Sequence, residues 1–146
     1  VYDLYTGTGT IAQYIAKNAS KVVGIDSVEE GIKAARENAK KNNINNCIFY
    51  TGDMKEIFTD NFIKKNKNPN IIITDPPRDG MHKKVIQQIL KIKADRIVYV
   101  SCNSATQARD ISLMNHDYHI THIQPIDMFP QTHHVENIVV LERNKL

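Results

Sequence analysis

The stretch that decides the fold is Val1-Tyr2-Asp3-Leu4-Tyr5, followed by Thr6-Gly7-Thr8-Gly9-Thr10. The first five residues are typical of a strand that is buried on both faces of a sheet, and the next five form a glycine-rich turn into a helical pattern. Glycines at such a turn allow positive φ angles and let a ligand approach the backbone beside a helix N-terminus. A strand, a glycine turn and a helix in this order predict the first unit of an open α/β sheet.

The same alternation continues along the whole chain. Strands are predicted at Val1–Tyr5, Lys21–Ile25, Cys47–Thr51, Asn70–Thr74, Arg96–Ser101, Tyr118–Gln124 and Asn137–Leu141. Helices are predicted at Thr10–Asn18 (with Ile11, Tyr14 and Ile15 on one face), Val28–Asn42 (capped by Asp26 or Ser27), Met54–Lys64, His82–Lys91 and Ser104–Met114. This order indicates right-handed βαβ units and an α/β, doubly wound, mostly parallel sheet of about seven strands. Since no helical pattern separates the last two strands, we expect the last one to be antiparallel.

Composition bounds the class of protein. The chain has 146 residues, of which 41% are hydrophobic and 24% charged, so we expect one globular domain over residues 1–146. No apolar run approaches the roughly 18–20 residues that a membrane span needs, and no signal peptide is recognisable. The two cysteines fit a reducing, cytoplasmic setting. A net charge of +3 is compatible with a nucleic-acid partner but too mild to indicate one.

The start of the chain is unusual. Val1 is not Met, and it leads directly into a strand that belongs in the centre of the sheet. A natural protein seldom begins inside its central sheet. We therefore expect a piece of a longer protein, truncated at its N-terminus.

The glycine turn and an acid beyond it point to a nucleoside-containing cofactor. From Gly7 the pattern is G-x-G-x-x-A, and Asp26 ends the second strand 19 residues later, where a carboxylate can accept hydrogen bonds from ribose hydroxyls. Without that acid, the pattern would fit a tight βα turn equally well. NAD and S-adenosylmethionine both satisfy these features.

Acids at two further strand ends favour S-adenosylmethionine. Asp53 follows the third strand and Asp75 the fourth. Carboxylates at three strand ends suit a cationic sulfonium better than an anionic pyrophosphate. Asp53 also fits the N-cap of the next helix, and one residue can serve both roles.

Two more strand ends carry residues able to do chemistry. The fourth strand runs into Asp75-Pro76-Pro77-Arg78-Asp79-Gly80, a stiff loop whose Arg78 suits a phosphate or a carboxylate; a rigid turn capped by Asp75 is the alternative. The fifth strand ends at Ser101-Cys102-Asn103. A helix N-terminus and nearby cations favour a reactive thiolate, although a cysteine is more often a small apolar core residue, as we expect for Cys47.

Glu136 and the histidines are the remaining candidates. Glu136 opens the last strand, where a carboxylate is either a general base or a solvated charge at the sheet edge. His116, His119 and His122 recur every three residues. Because side chains alternate between the two faces of a strand, this spacing does not converge on one ion, and no metal site is predicted.

Together these segments resemble the RNA (uracil-5-)-methyltransferase family. The resemblance rests on five stretches in family order: Asp3–Thr10, Val23–Asp26, Asp75–Gly80, Ser101–Asn103 with Thr106, Ala108, Arg109 and Asp110, and Pro130–Glu136. Thr6 stands where the family commonly has Cys, and Ser104 where it often has Pro. The family also has an upstream glutamine that contacts the cofactor, and often an RNA-binding β-barrel, neither of which this chain contains.

The resemblance implies a Rossmann-like class I methyltransferase that makes 5-methyluridine in ribosomal or transfer RNA with S-adenosylmethionine. It implies Cys102 as nucleophile and Glu136 as base, with Asp75 assisting and with Arg78 and Asn103 facing the substrate. The cofactor positions it implies are Tyr5, Gly7, Gly9, Thr10, Asp26, Asp53 and Asp75. Beyond RNA, no membrane or metal partner is expected, and a monomer is favoured.

Three other functions stay open from the sequence. A purine amino-methyltransferase would use a similar Asp-Pro-Pro loop but would want an aromatic residue where Arg78 stands. A nicotinamide dehydrogenase would explain the glycine turn and leave Cys102 and Glu136 without a role. A catalytically inactive RNA-binding remnant would need neither residue.

Overall fold

A computed structural model describes residues 1–128, 130–132 and 134–144. The strands are β1 (Tyr2–Leu4), β2 (Val22–Asp26), β3 (Cys47–Thr51), β4 (Ile71–Thr74), β5 (Arg96–Ser101), β6 (Tyr118–Ile126) and β7 (Glu136–Arg143). The helices are α1 (Thr10–Ile15), α2 (Glu29–Lys41), α3 (Met54–Ile57), α4 (Asp60–Asn66), α5 (Lys83–Ile92) and α6 (Ser104–Ser112). A 3₁₀ turn, Ala16–Asn18, follows α1.

All seven strands form one sheet in the order β3-β2-β1-β4-β5-β7-β6. Strands β1 to β5 pair in parallel, and β7 pairs antiparallel with both β5 and β6. The doubly wound sheet and its antiparallel last strand are confirmed. Because β1 lies between β2 and β4, the chain reverses direction across the sheet there, and ligands bind at such a switch point outside the carboxyl ends of the strands.

Helices cover both faces of this sheet. On one face α1 and α2 bury small residues, among them Ala12, Ala16 and Ala35, against Phe49. On the other face a larger cluster joins α3 to α6 with the strands, and it includes an edge-to-face pair of Tyr2 and Phe58. Burial on both faces explains why the central strands are almost entirely apolar.

Three local predictions were wrong. The predicted apolar face of the first helix fails at Tyr14, which is 75% exposed, whereas Ala12 and Ala16 are buried and Ile15 packs partly buried against the same cluster. Small side chains let this helix lie close to the sheet, so the large residues of the predicted face were a poor guide to its buried side.

The predicted helix Met54–Lys64 is two helices, because Thr59 accepts a hydrogen bond from the backbone N–H of Phe62 and starts a new one.

The third concerns the start of α2, where neither Asp26 nor Ser27 is the cap. Val28 occupies the N-cap position and contributes no side-chain hydrogen bond to the helix. The carboxylate of Asp26 instead accepts from the backbone N–H of Val28, 2.9 Å away. Asp26 therefore ends β2 and orders the connection to α2.

Candidate active site

The glycine turn leaves open space at one position and is tightly packed at another. Gly7 and Gly9 have φ angles of 55° and 76°, which favour glycine. A Cβ atom added at Gly9 would lie 2.9 Å from Ala35 and from the ring of Phe49, whereas one added at Gly7 would meet nothing within 4 Å. Gly9 is thus required by packing, and the space at Gly7 is available to a ligand.

Asp26 ties the turn to the end of β2. One carboxylate oxygen accepts from the backbone N–H of Gly7 at 2.8 Å, and the other from that of Val28. Each carboxylate oxygen can accept a second hydrogen bond, so the group retains capacity for ribose hydroxyls. Asp26, the residue predicted to bind the ribose, therefore also holds the glycine turn in place.

Asp3 is a feature of the site that sequence reasoning did not single out. It is 1% exposed and lies beneath the turn, where one oxygen accepts from the Thr6 hydroxyl and from the N–H of Ala12. Its other oxygen, Oδ1, has no hydrogen-bond partner among the described residues. Burial raises the pKa of Asp3 to about 6, and the charges of Asp75 and Asp26 add to this effect while its two hydrogen bonds oppose it. The signal in the sequence is a carboxylate inside an apolar strand.

Asp53 takes the helix-cap role that was its alternative interpretation. Its carboxylate accepts from the N–H of Lys55 at 3.1 Å and pairs with the ammonium of the same residue at 3.2 Å. These contacts lower the pKa of Asp53. Cofactor binding by the same carboxylate stays a prediction.

Tyr5 and Thr10 flank the glycine turn. Burial, together with the charges of Asp110, Asp53 and Asp26, raises the pKa of Tyr5 to about 12. Thr10 is the first residue of α1, and its side chain is exposed. Cofactor binding by these two residues stays a prediction.

The loop from Asp75 to Gly80 is a well-bonded turn. The N–H of Gly80 donates to the carbonyl of Pro77 at 2.8 Å, and Gly80 has a φ of 78°. A Cβ atom at Gly80 would lie 2.6 Å from Arg109 and from Asp110. Glycine is thus required where the loop passes α6, and Arg78 projects from the exposed side of the turn.

Asp75 lies within reach of the charge of Glu136. Asp75 remains accessible to solvent, yet the surrounding protein displaces part of the water around its carboxylate. This desolvation raises the pKa of Asp75, and the charge of Glu136 raises it further. Two of the three predicted catalytic residues therefore meet at the same end of the sheet.

The pairing of β5 with β7 brings the third one to them. The last pair of this ladder is Ser101 with Asn137. Cys102 and Glu136 are the next residue on each strand beyond this last pair, so both lie at the same end of two neighbouring strands. Cys102 is half-buried with a free thiol. Residues 34 positions apart in the chain thus come to the same end of the sheet.

The two predicted substrate-binding residues, Arg78 and Asn103, differ in how many protein contacts already occupy their side chains. One nitrogen of the Arg78 guanidinium lies 3.1 Å from Nδ1 of His134 and on the exposed surface. The Asn103 side chain caps α6 by accepting from the N–H groups of Ala105 and Thr106, and it donates to the carbonyl of Arg78. Phe129 and His133, which belong to the segment leading to Glu136, lie outside the described residues.

The histidines of β6 follow a different geometry from the one expected. A bulge between Ile120 and His122 breaks the alternation, so His119 lies opposite Glu142 and His122 opposite Val140, two positions apart on β7. Across residues 1–128, 130–132 and 134–144, no three His, Cys, Asp or Glu side chains converge as metal ligands would. No helix among these residues has the length and apolar character to cross a membrane.

Comparison with known proteins shows which family the chain belongs to. Residues 1–144 match the model of the family described as tRNA (Uracil-5-)-methyltransferase. An uncharacterized RNA methyltransferase from Bacteroides thetaiotaomicron is 56% identical over 142 residues, which are 97% of this chain and 31% of the relative. The chain thus spans about a third of the length of the curated relatives it matches.

Solved structures extend the comparison. The tRNA (uracil-54, C5)-methyltransferase of Pyrococcus abyssi, solved with S-adenosyl-L-homocysteine, has a TM-score of 0.85 and 38% identity over 96% of this chain and 33% of its own. The N-methyltransferase NodS of Bradyrhizobium japonicum has a TM-score of 0.75 at 12% identity, over 99% of this chain and 77% of its own, which shows a shared class I methyltransferase fold. The expected family is confirmed: the chain belongs to the tRNA (uracil-5-)-methyltransferase family.

Proposed function

We propose that this chain is the catalytic part of an enzyme that methylates C5 of a uridine in ribosomal or transfer RNA, using S-adenosylmethionine and a covalent bond between Cys102 and C6 of the base. The observation that carries the proposal is the β5–β7 register, whose last pair, Ser101 with Asn137, directly adjoins Cys102 and Glu136 in the chain, while the charge of Glu136 acts on Asp75. A thiol and two carboxylates at the ligand-binding end of an α/β sheet are what covalent catalysis with proton removal requires.

The residues around the glycine turn fit S-adenosylmethionine. Space is open at Gly7, and the buried Oδ1 of Asp3 lies beneath the turn with no hydrogen-bond partner in the described part of the chain. In this role Asp26 binds the ribose hydroxyls, and Asp53 binds the adenine amino group or the cationic part of the cofactor. The remaining predicted contacts come from Tyr5, Gly9, Thr10 and Asp75. When bound, the cofactor supplies an electrophilic methyl group.

Cys102 and Glu136 divide the chemistry between them. Uracil C5 is a weak nucleophile, so the Cys102 thiolate first adds to C6, which forms a C–S bond and makes C5 enolate-like and able to accept the methyl group. Glu136 then removes the proton from C5, the C–S bond breaks, and Cys102 leaves as the thiolate. Asp75 and Arg78 orient the base or its phosphate. Because C6 is not reachable in a helix, the target base leaves its stack.

The other candidate functions have less support. A purine amino-methyltransferase has no use for Cys102 and Glu136, and Arg78 offers no aromatic ring to stack a purine. A nicotinamide dehydrogenase gives no role to Cys102 or Glu136. Titration calorimetry with S-adenosylmethionine and with NAD separates the dehydrogenase from both methyltransferases, because only the methyltransferases bind the former and not the latter. The two methyltransferases are then separated by the modified nucleoside, which is 5-methyluridine for the proposed function and a methylated purine for the alternative.

The nucleophile is tested with the full-length protein, S-adenosylmethionine and RNA that contains 5-fluorouridine. After methyl transfer C5 carries fluorine in place of the proton that the base would remove, so the C–S bond cannot break and the Cys102 adduct accumulates, as seen by mass spectrometry. Cys102→Ala forms no adduct. Cys47→Ala is the matched control, because Cys47 lies at the start of β3 and its thiol donates to the carbonyl of Ala12. Absence of an adduct with the unmodified protein, or an equal adduct with Cys102→Ala, refutes the proposal.

The base is tested with Glu136→Gln. This variant keeps the shape of the side chain but cannot accept the proton, so a methylated covalent intermediate with normal RNA is expected to persist. Glu142→Gln, at the other end of β7 where Glu142 pairs with Arg96 at 2.6 Å, is the control and turns over normally. Full turnover by Glu136→Gln excludes the role.

The RNA is identified in cells. Nucleosides from ribosomal and transfer RNA of a strain that lacks the protein are mapped by mass spectrometry, and a specific 5-methyluridine is expected to disappear. A strain that retains every 5-methyluridine contradicts the assigned product.

A further inference from the structure

One face of α6 holds the backbone of the Asp75–Gly80 loop and of the residue after it. Its side chains recur at the spacing that lines one side of a helix. We refer to them as the loop tether: Asn103, Thr106, Arg109 and Asp110. The tether begins directly after Cys102, so the same helix supports the proposed nucleophile and the loop that carries Arg78.

The first half of the tether acts on Arg78 itself. The carbonyl oxygen of Arg78 accepts from the side-chain amide of Asn103 at 3.1 Å and from the hydroxyl of Thr106 at 2.9 Å. Two donors on one carbonyl fix the peptide plane that follows the Arg78 Cα. The tether thus fixes the backbone from which the Arg78 side chain departs, while the guanidinium itself contacts His134 at 3.1 Å.

The second half of the tether holds the end of the loop. Arg109 donates to the carbonyl of Asp79 at 2.8 Å, and the Asp110 carboxylate accepts from the N–H of Met81 at 2.7 Å. Asp110 is 1% exposed, and it also accepts from the Tyr99 hydroxyl at 2.7 Å and pairs with Arg109 at 2.7 Å. A buried carboxylate with this many donors is a rigid anchor.

We propose that the loop tether positions Arg78 for the RNA substrate, so that its four members are positioning residues for the reaction. The inference rests on the proposed function, since it takes RNA as the substrate that Arg78 meets. The loop is a tight turn with Gly80 at positive φ, and without the tether nothing described on its exposed side would hold the Arg78 carbonyl. Small displacements of a substrate-positioning group have large effects on rate.

The test removes both donors to the Arg78 carbonyl while keeping α6 intact. Asn103→Ser retains an N-cap, and Thr106→Val retains the shape of threonine without its hydroxyl. In the full-length protein the double variant is expected to lower kcat/KM for RNA roughly 10- to 100-fold, with unchanged cofactor affinity and Tm. Thr106→Ser, which restores the hydroxyl, is expected to recover most of the rate that Thr106→Val loses. Unchanged kcat/KM in the double variant overturns the proposal.

A double-mutant cycle with Arg78→Ala distinguishes positioning from general support. If the tether acts through Arg78, the Asn103→Ser/Thr106→Val change costs little more once Arg78 is gone, because coupled residues are not additive. Fully additive losses overturn the proposal.

Amide hydrogen exchange tests the tether without turnover. The N–H groups of Gly80 and Met81 are expected to exchange faster in the Asn103→Ser/Thr106→Val variant, and unchanged exchange overturns the proposal. Unmodified protein that forms no 5-fluorouridine adduct contradicts the proposed function instead, and the exchange rates still decide whether α6 holds the loop.

Discussion

Replacing Asp3 by Asn removes a charge that the folded chain keeps in its interior. Asp3 is 1% exposed, and burial raises its pKa from 3.8 to about 6. Between these values the folded chain binds more protons at this group than the unfolded chain does. Its contribution to stability is therefore fully present below pH 3.8 and is lost as pH rises through about 6.

The size of the effect follows from the two pKa values. The interval from 3.8 to about 6, at 1.36 kcal/mol per pH unit, corresponds to about 3 kcal/mol of unfolding free energy. Asn at this position accepts the hydrogen bonds from Thr6 and Ala12 with its oxygen. Its amide then occupies the place of the unpartnered Oδ1, and an unpaired buried donor costs about 1–3 kcal/mol. Asn carries no charge at any pH, and the protonated Asp3 of the parent also has an unpaired donor at this place. The free energy of unfolding of the Asn variant should therefore rise relative to that of the parent by up to about 3 kcal/mol as the pH rises from 4 to 7.

Urea unfolding followed by circular dichroism at several pH values between 4 and 8 measures this difference. Groups other than Asp3 contribute equally to both curves, so subtracting one curve from the other removes their contributions. Asp95→Asn, at the other end of the sheet where Asp95 pairs with Arg143 at 3.0 Å, controls for the loss of one carboxylate. If the free energies of unfolding of the parent and of Asp3→Asn depend on pH in the same way, the charge of Asp3 does not destabilise the folded chain, and the reasoning is refuted.

Further predictions concern packing, capping and the anchor of the loop. Gly9→Ala should lose about 2–4 kcal/mol of stability, because the added methyl would lie 2.9 Å from the ring of Phe49 at a φ of 76°; an unchanged urea midpoint contradicts this. Thr59→Ala should cost about 1 kcal/mol and Thr59→Ser much less, as measured by Tm, since Thr59 caps α4; equal losses would exclude the cap. Tyr99→Phe should cost about 1–3 kcal/mol in urea unfolding, because buried Asp110 loses a donor, and full stability would show that the hydroxyl is dispensable.

The fold could be predicted because its information lies in local patterns. Continuous apolar runs such as Ile71-Ile72-Ile73 are recognisable without any knowledge of their partners, and the missing helix between the last two strands revealed the antiparallel pairing. The errors came from tertiary packing. Tyr14 fits a helical apolar face in the sequence, but alanines rather than large residues bring α1 close to the sheet.

The candidate site was predictable to the extent that it lies at strand ends. Asp26, Asp75 and Cys102 follow recognisable strands, so their common edge could be inferred. What could not be inferred is the bonding that holds the site. Asp110 looked like one polar residue of a helix, and only the loop packed against it shows why a carboxylate is buried there. The bulge before His122 was likewise invisible, because bulges depend on the partner strand.

The position of β7 in the sheet has a consequence for how the enzyme matures. Of the described strands it is the last in chain order, yet it lies between β5 and β6 rather than at an edge. Cys102 is synthesised well before Glu136, and the two reach the same end of the sheet only when β7 has inserted between strands that were made earlier. During synthesis Cys102 therefore emerges before the residue that the proposed mechanism pairs with it. The insertion of β7 that completes the sheet is also the step on which the proposed pair of Cys102 and Glu136 depends.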